Sequence, residues 1–349
     1  MKLSMPEAVW GWPPPVLDPA GPYAEDVTLL AWVLVGMALV VTAIVVAALW
    51  AAIKGPPWIK DKLGGERAVW IGGIAFPGVV LTALLIWGLT LTASLTQPIT
   101  GQEMRVRVTG EMWWFRVQYL DEAGEVVIDD ANELHLPVGV PVVVELRSAD
   151  VIHSFWVPHL SGKKDMVPGR TNLLRIEASE AGRFGGVCAE YCGGPHALMG
   201  FIAVAHEQAD WQTWLAARLA RQQPDITLPQ SRTTPLPAVY TDVDLPRDSA
   251  LRGGADWDAT QGRALFMASG CSACHRVAGT EANGLAGPDL THIGSRLSLG
   301  AGILPNHRGT LVGWIGDSQS IKPGNRMPTY DRLSGDQLNQ IAAWLEQQK

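Results

Sequence analysis

Two long apolar stretches stand out in the N-terminal part of the chain. Residues 27–53 carry no charged side chain, and a second uncharged stretch begins at Ala68 and stays apolar to about Leu95. A membrane-spanning helix needs about 20 mainly apolar residues, so each stretch is long enough to cross a bilayer. The second stretch is interrupted by Gly72, Gly73, Pro77 and Gly78, which neighbouring helices can accommodate. The pattern predicts a transmembrane helical hairpin; the alternative is a buried hairpin of a large soluble protein.

Short alternating stretches follow between residues 103 and 206. They are rich in β-branched and aromatic residues and are separated by Gly, Pro, Asp and Asn: RVRVTG, WWFRVQYL, ELHLPV, PVVVELRS, HSFWVP, RTNLLRIEA and GFIAVA. This spacing is typical of an all-β sandwich, which we place at residues 100–215. A short helix is predicted from Trp211 to Arg221.

The C-terminal part changes from an extended to a helical pattern. Residues 216–255 are rich in Pro and polar residues and predict a semi-rigid linker. Such a linker would hold the last domain within reach of the sandwich without fixing it. Residues 256–349 predict an all-α domain, with one helix at Ala259–Ala268 and another at Ser334–Gln348 that begins with a capping box.

Composition and charge support this organisation. Hydrophobic residues make up 47% and charged residues 17% of the chain, against a usual charged share of roughly 25%. The net charge of −7 argues against a nucleic-acid binder. Basic residues are concentrated in residues 54–67, whereas residues 1–26 hold one Lys and four acids. The positive-inside rule therefore places this loop in the cytoplasm and residues 1–26 and 100–349 outside, with no cleavable signal peptide expected.

The four cysteines form two tight pairs, which indicates two local sites and not a disulfide framework. The first site spans residues 188–199, where two thiols, an imidazole and a thioether lie close together. Thiolate and thioether ligands are soft and select copper. The simplest arrangement has both thiolates bridging two copper ions, two imidazoles capping the pair, and weak ligands from a thioether and a backbone carbonyl: Cys188, Cys192, His153, His196, Met199 and the carbonyl of Glu190.

Two other interpretations of this run stay open. A Cys188–Cys192 disulfide is possible in an exported domain, but it leaves His196 and Met199 unexplained. A zinc site would accept the cysteines and the histidines, although methionine is not a normal zinc ligand.

The second site is the sequence Cys271-Ser-Ala-Cys274-His275, the attachment signature of c-type haem. Both thiols would add to the haem, and His275 would bind its iron. A thioredoxin-like motif is the alternative, but it would need a βαβ context. Met327, followed by Pro328, is predicted as the sixth iron ligand, with Met267 as its competitor. Four other histidines have no partner at ligand spacing and are assigned to packing or the surface: His159, His206, His292 and His307.

The motifs quoted above resemble two known families. The run 188–199, with Asp150–Pro158 and Lys164–Arg170, resembles the binuclear CuA loop of cytochrome c oxidase subunit II, and residues 256–349 resemble a class I cytochrome c. The resemblance implies a multi-domain membrane protein with a two-helix hairpin, a cupredoxin sandwich and a cytochrome c domain. It implies the six CuA ligands named above and a magnesium ion on the Glu190 carboxylate at the interface with subunit I. It also implies electron entry at Trp113, whose alternative role is strand packing.

The fusion of these domains resembles the caa3-type haem–copper oxidases of bacteria. It implies electron flow from a cytochrome c or cytochrome bc complex to haem c, then to CuA and to subunit I, where oxygen is reduced and protons are pumped. Subunits I and III and the inner-membrane bilayer would be its partners, with no nucleic acid. The alternative is a CuA-containing nitric oxide reductase. Glu66 lies at the wrong spacing for the family's proton-channel glutamate, so that role is doubtful.

Overall fold

The computed structural model describes residues 14–95, 103–221 and 259–349. The chain divides into two compact units, Tyr23–Gln102 and a second unit that joins Met1–Pro22 to Glu103–Lys349. Residues 1–13 of the predicted exported segment and all of the predicted linker from residue 222 onward lie outside the described residues.

The first unit is helical. Its elements are α1 (Pro22–Lys54), α2 (Pro57–Leu63), α3 (Glu66–Trp70), a π-helical stretch at Ile71–Ala75 and α4 (Phe76–Leu95). The helix Pro22–Lys54 and the continuous helical stretch Glu66–Leu95 are long and apolar enough to span a membrane, with mean hydropathies of 2.8 and 2.2. Their most apolar windows are not buried inside the unit, as lipid-facing helices require. The first helix begins at Pro22, ahead of the predicted boundary at residue 27.

The sandwich consists of two five-stranded sheets. Its strands are β1 (Met104–Glu111), β2 (Trp114–Leu120), β3 (Val126–Ala131), β4 (Glu133–Pro137), β5 (Val142–Ser148), β6 (His153–Trp156), β7 (Lys164–Met166), β8 (Asn172–Ile176), β9 (Gly182–Cys188) and β10 (Gly200–His206). The orders are β3-β2-β1-β5-β8 and β4-β10-β9-β6-β7. The pairs β1–β5 and β4–β10 are parallel, and the others are antiparallel. All seven predicted strand segments are confirmed.

An aromatic cluster fills the space between the sheets. The rings of Phe115, Phe155 and Phe201 are fully buried, and their centroids lie 4.7–6.4 Å apart. Gly186 on β9 lies under the Phe201 ring, and a Cβ at that position would overlap the ring. Glycine is normally unfavourable inside a β-strand. Here the close packing against Phe201 explains why the glycine-rich segment β9 forms a strand.

The helix α5 (Gln208–Leu219) follows the sandwich and continues past the predicted domain boundary at residue 215. The C-terminal domain contains α6 (Ala259–Ala268), α7 (Arg308–Gly316), α8 (Ser318–Ile321) and α9 (Gly335–Glu346). A two-residue strand pair, β11 (Ser298–Leu299) and β12 (Leu304–Pro305), is its only sheet among the described residues. The predicted capping box is present, because Ser334 and Gln337 exchange hydrogen bonds. The predicted fold class is thus confirmed.

The crossing of α6 and α9 gives a first testable prediction. Gly262 on α6 lies against the Gln340 carbonyl, and a Cβ there would overlap that oxygen and lie 2.9 Å from Trp344 Cβ. We expect Gly262→Ala to destabilise the domain by about 1–3 kcal/mol, since the helices must separate. Gly313→Ala on α7 meets no atom within 4 Å and should be neutral or stabilising. Thermal unfolding of both variants decides this, and equal stability would contradict the packing account.

The two domains of the second unit pack directly against each other. The Arg296 guanidinium donates through Nε and Nη2 to Asp130 Oδ1, at 2.9 and 2.7 Å, and both side chains are buried. The Glu133 carboxylate accepts hydrogen bonds from the backbone N–H groups of Leu297 and Ser298. Burial raises the pKa of Asp130, but Arg296 and Arg218 outweigh it and lower that pKa to about 2. The expectation of an unfixed C-terminal domain is therefore wrong.

Candidate metal and haem sites

The first site lies where β6 and β9 end. His153 is the first residue of β6 and Cys188 the last residue of β9, and the two strands pair antiparallel through Phe155 and Cys188. The chain then forms a loop that ends at Met199, whose carbonyl accepts a hydrogen bond from the Cys188 N–H at 2.9 Å. Two paired strands and one closed loop thus bring distant residues to one point.

The six predicted copper donors converge in this loop. Cys188 Sγ lies 3.7 Å from Cys192 Sγ, 3.8 Å from His153 Nδ1 and 3.3 Å from the Glu190 carbonyl. Cys192 Sγ lies 3.5 Å from His196 Nδ1 and 3.8 Å from Met199 Sδ. The two thiols are therefore central, and every other donor lies beside one of them.

Neighbouring groups orient and charge this site. His153 Nε2 lies 2.8 Å from Asp150 Oδ1, which leaves Nδ1 for the site. Burial lowers the pKa of His153, but the hydrogen bonds with Asp150 and Cys188 outweigh it and raise the pKa to about 8. Burial raises the pKa of Cys188, but bonds with His153 and the backbone lower it to about 7. A depressed pKa favours the thiolate form of Cys188 that a metal requires, whereas burial and the neighbouring Cys188 raise the pKa of Cys192 to about 12.

The donor chemistry fits copper better than the alternatives. Cys188 and Cys192 are free thiols, and their 3.7 Å separation far exceeds a disulfide bond of about 2.05 Å. Met199 is buried inside the donor set, and thioether sulfur is a copper ligand and not a normal zinc ligand. Two buried sulfurs flanked by two imidazoles and a thioether suit a copper pair.

The second site is an apolar cavity in the C-terminal domain. Its walls include Cys271, Cys274, His275 and Met327, together with hydrophobic side chains such as Phe266, Leu290, Leu299 and Ile341. His275 Nδ1 donates to the Pro288 carbonyl at 2.7 Å, so its Nε2 is available for a metal. Gly287 permits this position, since a Cβ there would lie 2.6 Å from the His275 ring.

The remaining donors fit a haem group. Burial raises the pKa of Cys271 to about 12, which disfavours a reactive thiolate of the thioredoxin kind. Met327 lines the cavity, whereas Met267 packs against the helical core and is not among the described lining residues. The other histidines lie elsewhere: His292 is buried, His206 contacts His135 at 2.8 Å, the His159 ring lies tilted against Phe184 and His307 caps α7.

The cavity is closed on one side by the sandwich. Met112 and Trp113, from the turn between β1 and β2, and Trp114, the first residue of β2, line it together with the C-terminal domain. The Trp113 indole N–H donates to the Cys192 carbonyl at 2.8 Å. One side chain thus touches both sites.

Several residues at this contact escaped the sequence analysis. Asp150 lies in the quoted Asp150–Pro158 motif, where an acid three residues before the predicted His ligand was a signal for its orienting role. Lys322 and Arg326 flank the Pro-Gly-Asn segment before Met327, and no local pattern marks them as interdomain contacts.

Comparisons with known proteins show which families the two domains match. Residues 104–206 match the family of the cytochrome c oxidase subunit II periplasmic domain, and residues 259–349 match cytochrome c. Cytochrome c oxidase subunit 2 of Alkalihalophilus pseudofirmus is 32% identical, over 95% of this chain and 90% of the relative. That of Bacillus subtilis is 27% identical, over 84% and 78%. The crystal structure of the periplasmic domain of subunit II of the Bradyrhizobium japonicum cytochrome oxidase covers 34% of this chain and 96% of its own, at 27% identity and a TM-score of 0.32.

The fold and the sites define a cupredoxin that carries two apolar helices and a fused cytochrome c domain. The chain belongs to the cytochrome c oxidase subunit 2 family.

Proposed function

We propose that the chain is the electron-input subunit of a caa3-type cytochrome c oxidase. The observation that carries this proposal is Trp113, which lines the haem-type cavity and donates a hydrogen bond to the copper-type loop. A redox subunit needs its two centres close together, and this chain places the donor sets on either side of one indole.

The residues that would hold each group follow from the donor sets. The binuclear copper CuA would be held by His153, Cys188, the Glu190 carbonyl, Cys192, His196 and Met199. Haem c would be attached through Cys271 and Cys274, with His275 and Met327 on its iron. When bound, the two groups supply one-electron chemistry, so that electrons would pass from haem c to CuA and on to the oxygen-reducing centres of subunit I.

The chain's own residues orient these groups and exclude water. Asp150 and the Pro288 carbonyl fix the imidazoles of His153 and His275 through their second ring nitrogens. Phe266 and Leu290 make the haem cavity apolar, and the Cys188 and Met199 side chains are buried. Methionine–histidine ligation raises a haem potential, as suits delivery to an oxidase. Trp113 is the proposed electron entry residue because it spans the gap between the sites.

The proposed setting is the inner membrane of a bacterium. The two apolar helices would anchor the chain, with the cupredoxin and cytochrome domains on the periplasmic side and the basic loop in the cytoplasm. Subunits I and III would be partners, a cytochrome c or cytochrome bc complex the donor, and proton pumping the work of the complex. The two oxidase relatives described above favour oxygen over nitric oxide as the final acceptor.

The domain limits are part of the same proposal. We propose a hairpin over 27–99, a CuA domain over 100–215, a linker over 216–255 and a cytochrome domain over 256–349, after an exported segment of residues 1–26. The Glu190 side chain is half exposed beside Lys163 Nζ, at 3.9 Å. We propose that the Glu190 carboxylate binds a magnesium ion at the interface with subunit I. The ion would then replace Lys163 as the partner of this carboxylate.

Substitution of the proposed iron ligand tests the haem assignment. Met327→His should keep the haem attached through Cys271 and Cys274 but lower its potential, because an imidazole replaces the thioether. The sulfur-to-iron absorption band should disappear. Met267→Leu is the matched control and should leave both unchanged. A Met327→His protein with the wild-type potential and band would show that the ligand is another residue.

A further inference from the structure

A lysine of the cytochrome domain is buried at the contact between the two sites. Lys322 is 3% exposed, and its Nζ donates to the carbonyl oxygens of Trp113, Leu198 and Gly300, at 2.7, 2.8 and 3.0 Å. An ammonium group has three N–H donors and no acceptor. Each of its donors therefore has a partner, and two of the three partners belong to the other domain.

The three carbonyls tie together the segments that matter for electron transfer. Trp113 bonds through its indole to Cys192, and Leu198 directly precedes the donor Met199. Gly300 lies in the turn after β11, beside Ala301, whose carbonyl accepts from the Gly200 N–H at 3.0 Å. A single ammonium thus joins the cytochrome domain to the tryptophan turn and to the copper loop.

A second cation of the same segment reaches the other side of the copper site. Arg326 Nη2 lies 3.3 Å from Asp150 Oδ2, while Asp150 Oδ1 contacts His153. The segment itself is held firmly, because the Met327 carbonyl accepts from Ser318 Oγ and Gln319 Nε2, at 2.9 and 2.7 Å. Arg326 is about half exposed, so its pair contributes less than the buried lysine.

We propose that Lys322 is a positioning residue for electron transfer between the domains. It seats the methionine side of the haem cavity against Trp113 and the copper loop. Burial lowers the pKa of Lys322 to about 7, so at pH 6 the side chain also places a positive charge beside that loop. The identity of the two redox groups rests on the proposed function. The role of Lys322 rests on its three hydrogen bonds and its burial.

The test compares Lys322→Met with Arg263→Met in the purified complex at pH 6. Methionine keeps most of the unbranched side chain, one atom shorter, but loses every donor and the charge. Arg263 lies in the same domain, in an exposed pair with Glu281, and so controls for net charge. In Lys322→Met, exchange of the Gly200 amide should accelerate on the order of tenfold or more, since charged hydrogen bonds are strong. Electron transfer from haem to copper should also be slower in this variant.

A potential measurement separates positioning from general loosening. A nearby positive charge favours the reduced copper pair, so Lys322→Met should lower the copper potential, while Arg263→Met should not. Lys322→Arg retains the charge but cannot place three N–H groups on the same three carbonyls. The arginine variant should keep the wild-type copper potential and still accelerate exchange of the Gly200 amide. It takes the place of Lys322→Met in the test if the methionine variant does not fold.

Failure of the proposed role of Lys322 can be distinguished from failure of the proposed function. The Lys322→Met complex could show intact haem and copper spectra together with the wild-type rate of Gly200 amide exchange and the wild-type copper potential. This result would overturn the role of Lys322 and leave the proposed function standing. A wild-type complex without a copper-pair spectrum would instead overturn the proposed function on which the inference rests.

Discussion

Replacing Cys192 by serine is expected to abolish the delocalised copper pair. Cys192 Sγ is the donor nearest to His196 and Met199 and lies 3.7 Å from Cys188 Sγ, so it is central to the site. Serine offers a hard, protonated oxygen in place of a soft thiolate. One remaining thiolate cannot hold two ions in a delocalised pair, and we expect at most one copper ion per chain.

Copper content and the near-infrared band of the purified complex measure this effect. Tyr191→Phe is the matched control, because Tyr191 is adjacent in sequence yet 76% exposed, and it should retain both signals. A Cys192→Ser protein with the wild-type band and copper content would contradict the assignment of the copper site.

Replacing Arg296 by methionine is expected to separate the cytochrome domain from the cupredoxin domain. The variant leaves the buried Asp130 carboxylate with the Ala131 N–H, at 2.8 Å, and with Arg218 as its nearest guanidinium, whose Nη2 lies 3.8 Å away. Breaking a buried pair by removing one partner costs about 3–5 kcal/mol. At about 1.4 kcal/mol per factor of ten, the undocked population should rise roughly a hundred- to several thousandfold.

Amide exchange at Leu297 and Ser298 reports this separation, because both N–H groups donate to Glu133 in the other domain. Arg308→Met is the matched control, since its pair with Glu346 is exposed and should contribute less than about 1 kcal/mol. An Asp130→Leu/Arg218→Met/Arg296→Met triple variant should recover much of the docking, because all three charges of this buried cluster are then removed together. Unchanged exchange in the Arg296 single variant would show that this ion pair does not hold the domains together.

The sequence predicted those parts of the fold that depend on local pattern. The two apolar helices, the seven strands and the helices flanking the haem cavity follow from hydrophobic periodicity and capping residues. Three strands were not predicted. In β9, Gly186 makes room for the Phe201 ring. In β3, the charged residues Asp129 and Asp130 break the apolar pattern, and Asp130 finds its partner Arg296 in the other domain.

The site was predictable to the extent that its donors are close in sequence. Cys188 to Met199 and Cys271 to His275 are local motifs, and their chemistry follows from residue type and spacing. The docking of the two domains was not predictable, because it depends on single residues such as Asp130, Arg296 and Lys322 that lie far apart in the chain. Only the folded structure shows that these charges are buried together.

We propose that this chain carries electrons between two centres held in contact across Trp113. The most direct test of this proposal is to inject an electron into the haem of the purified complex with a light pulse and follow the copper band over time. The docked geometry predicts first-order transfer whose rate is independent of protein concentration and of ionic strength, because a preformed contact needs no electrostatic capture. Transfer that accelerates with protein concentration, weakens with salt, or never reaches the copper would contradict it.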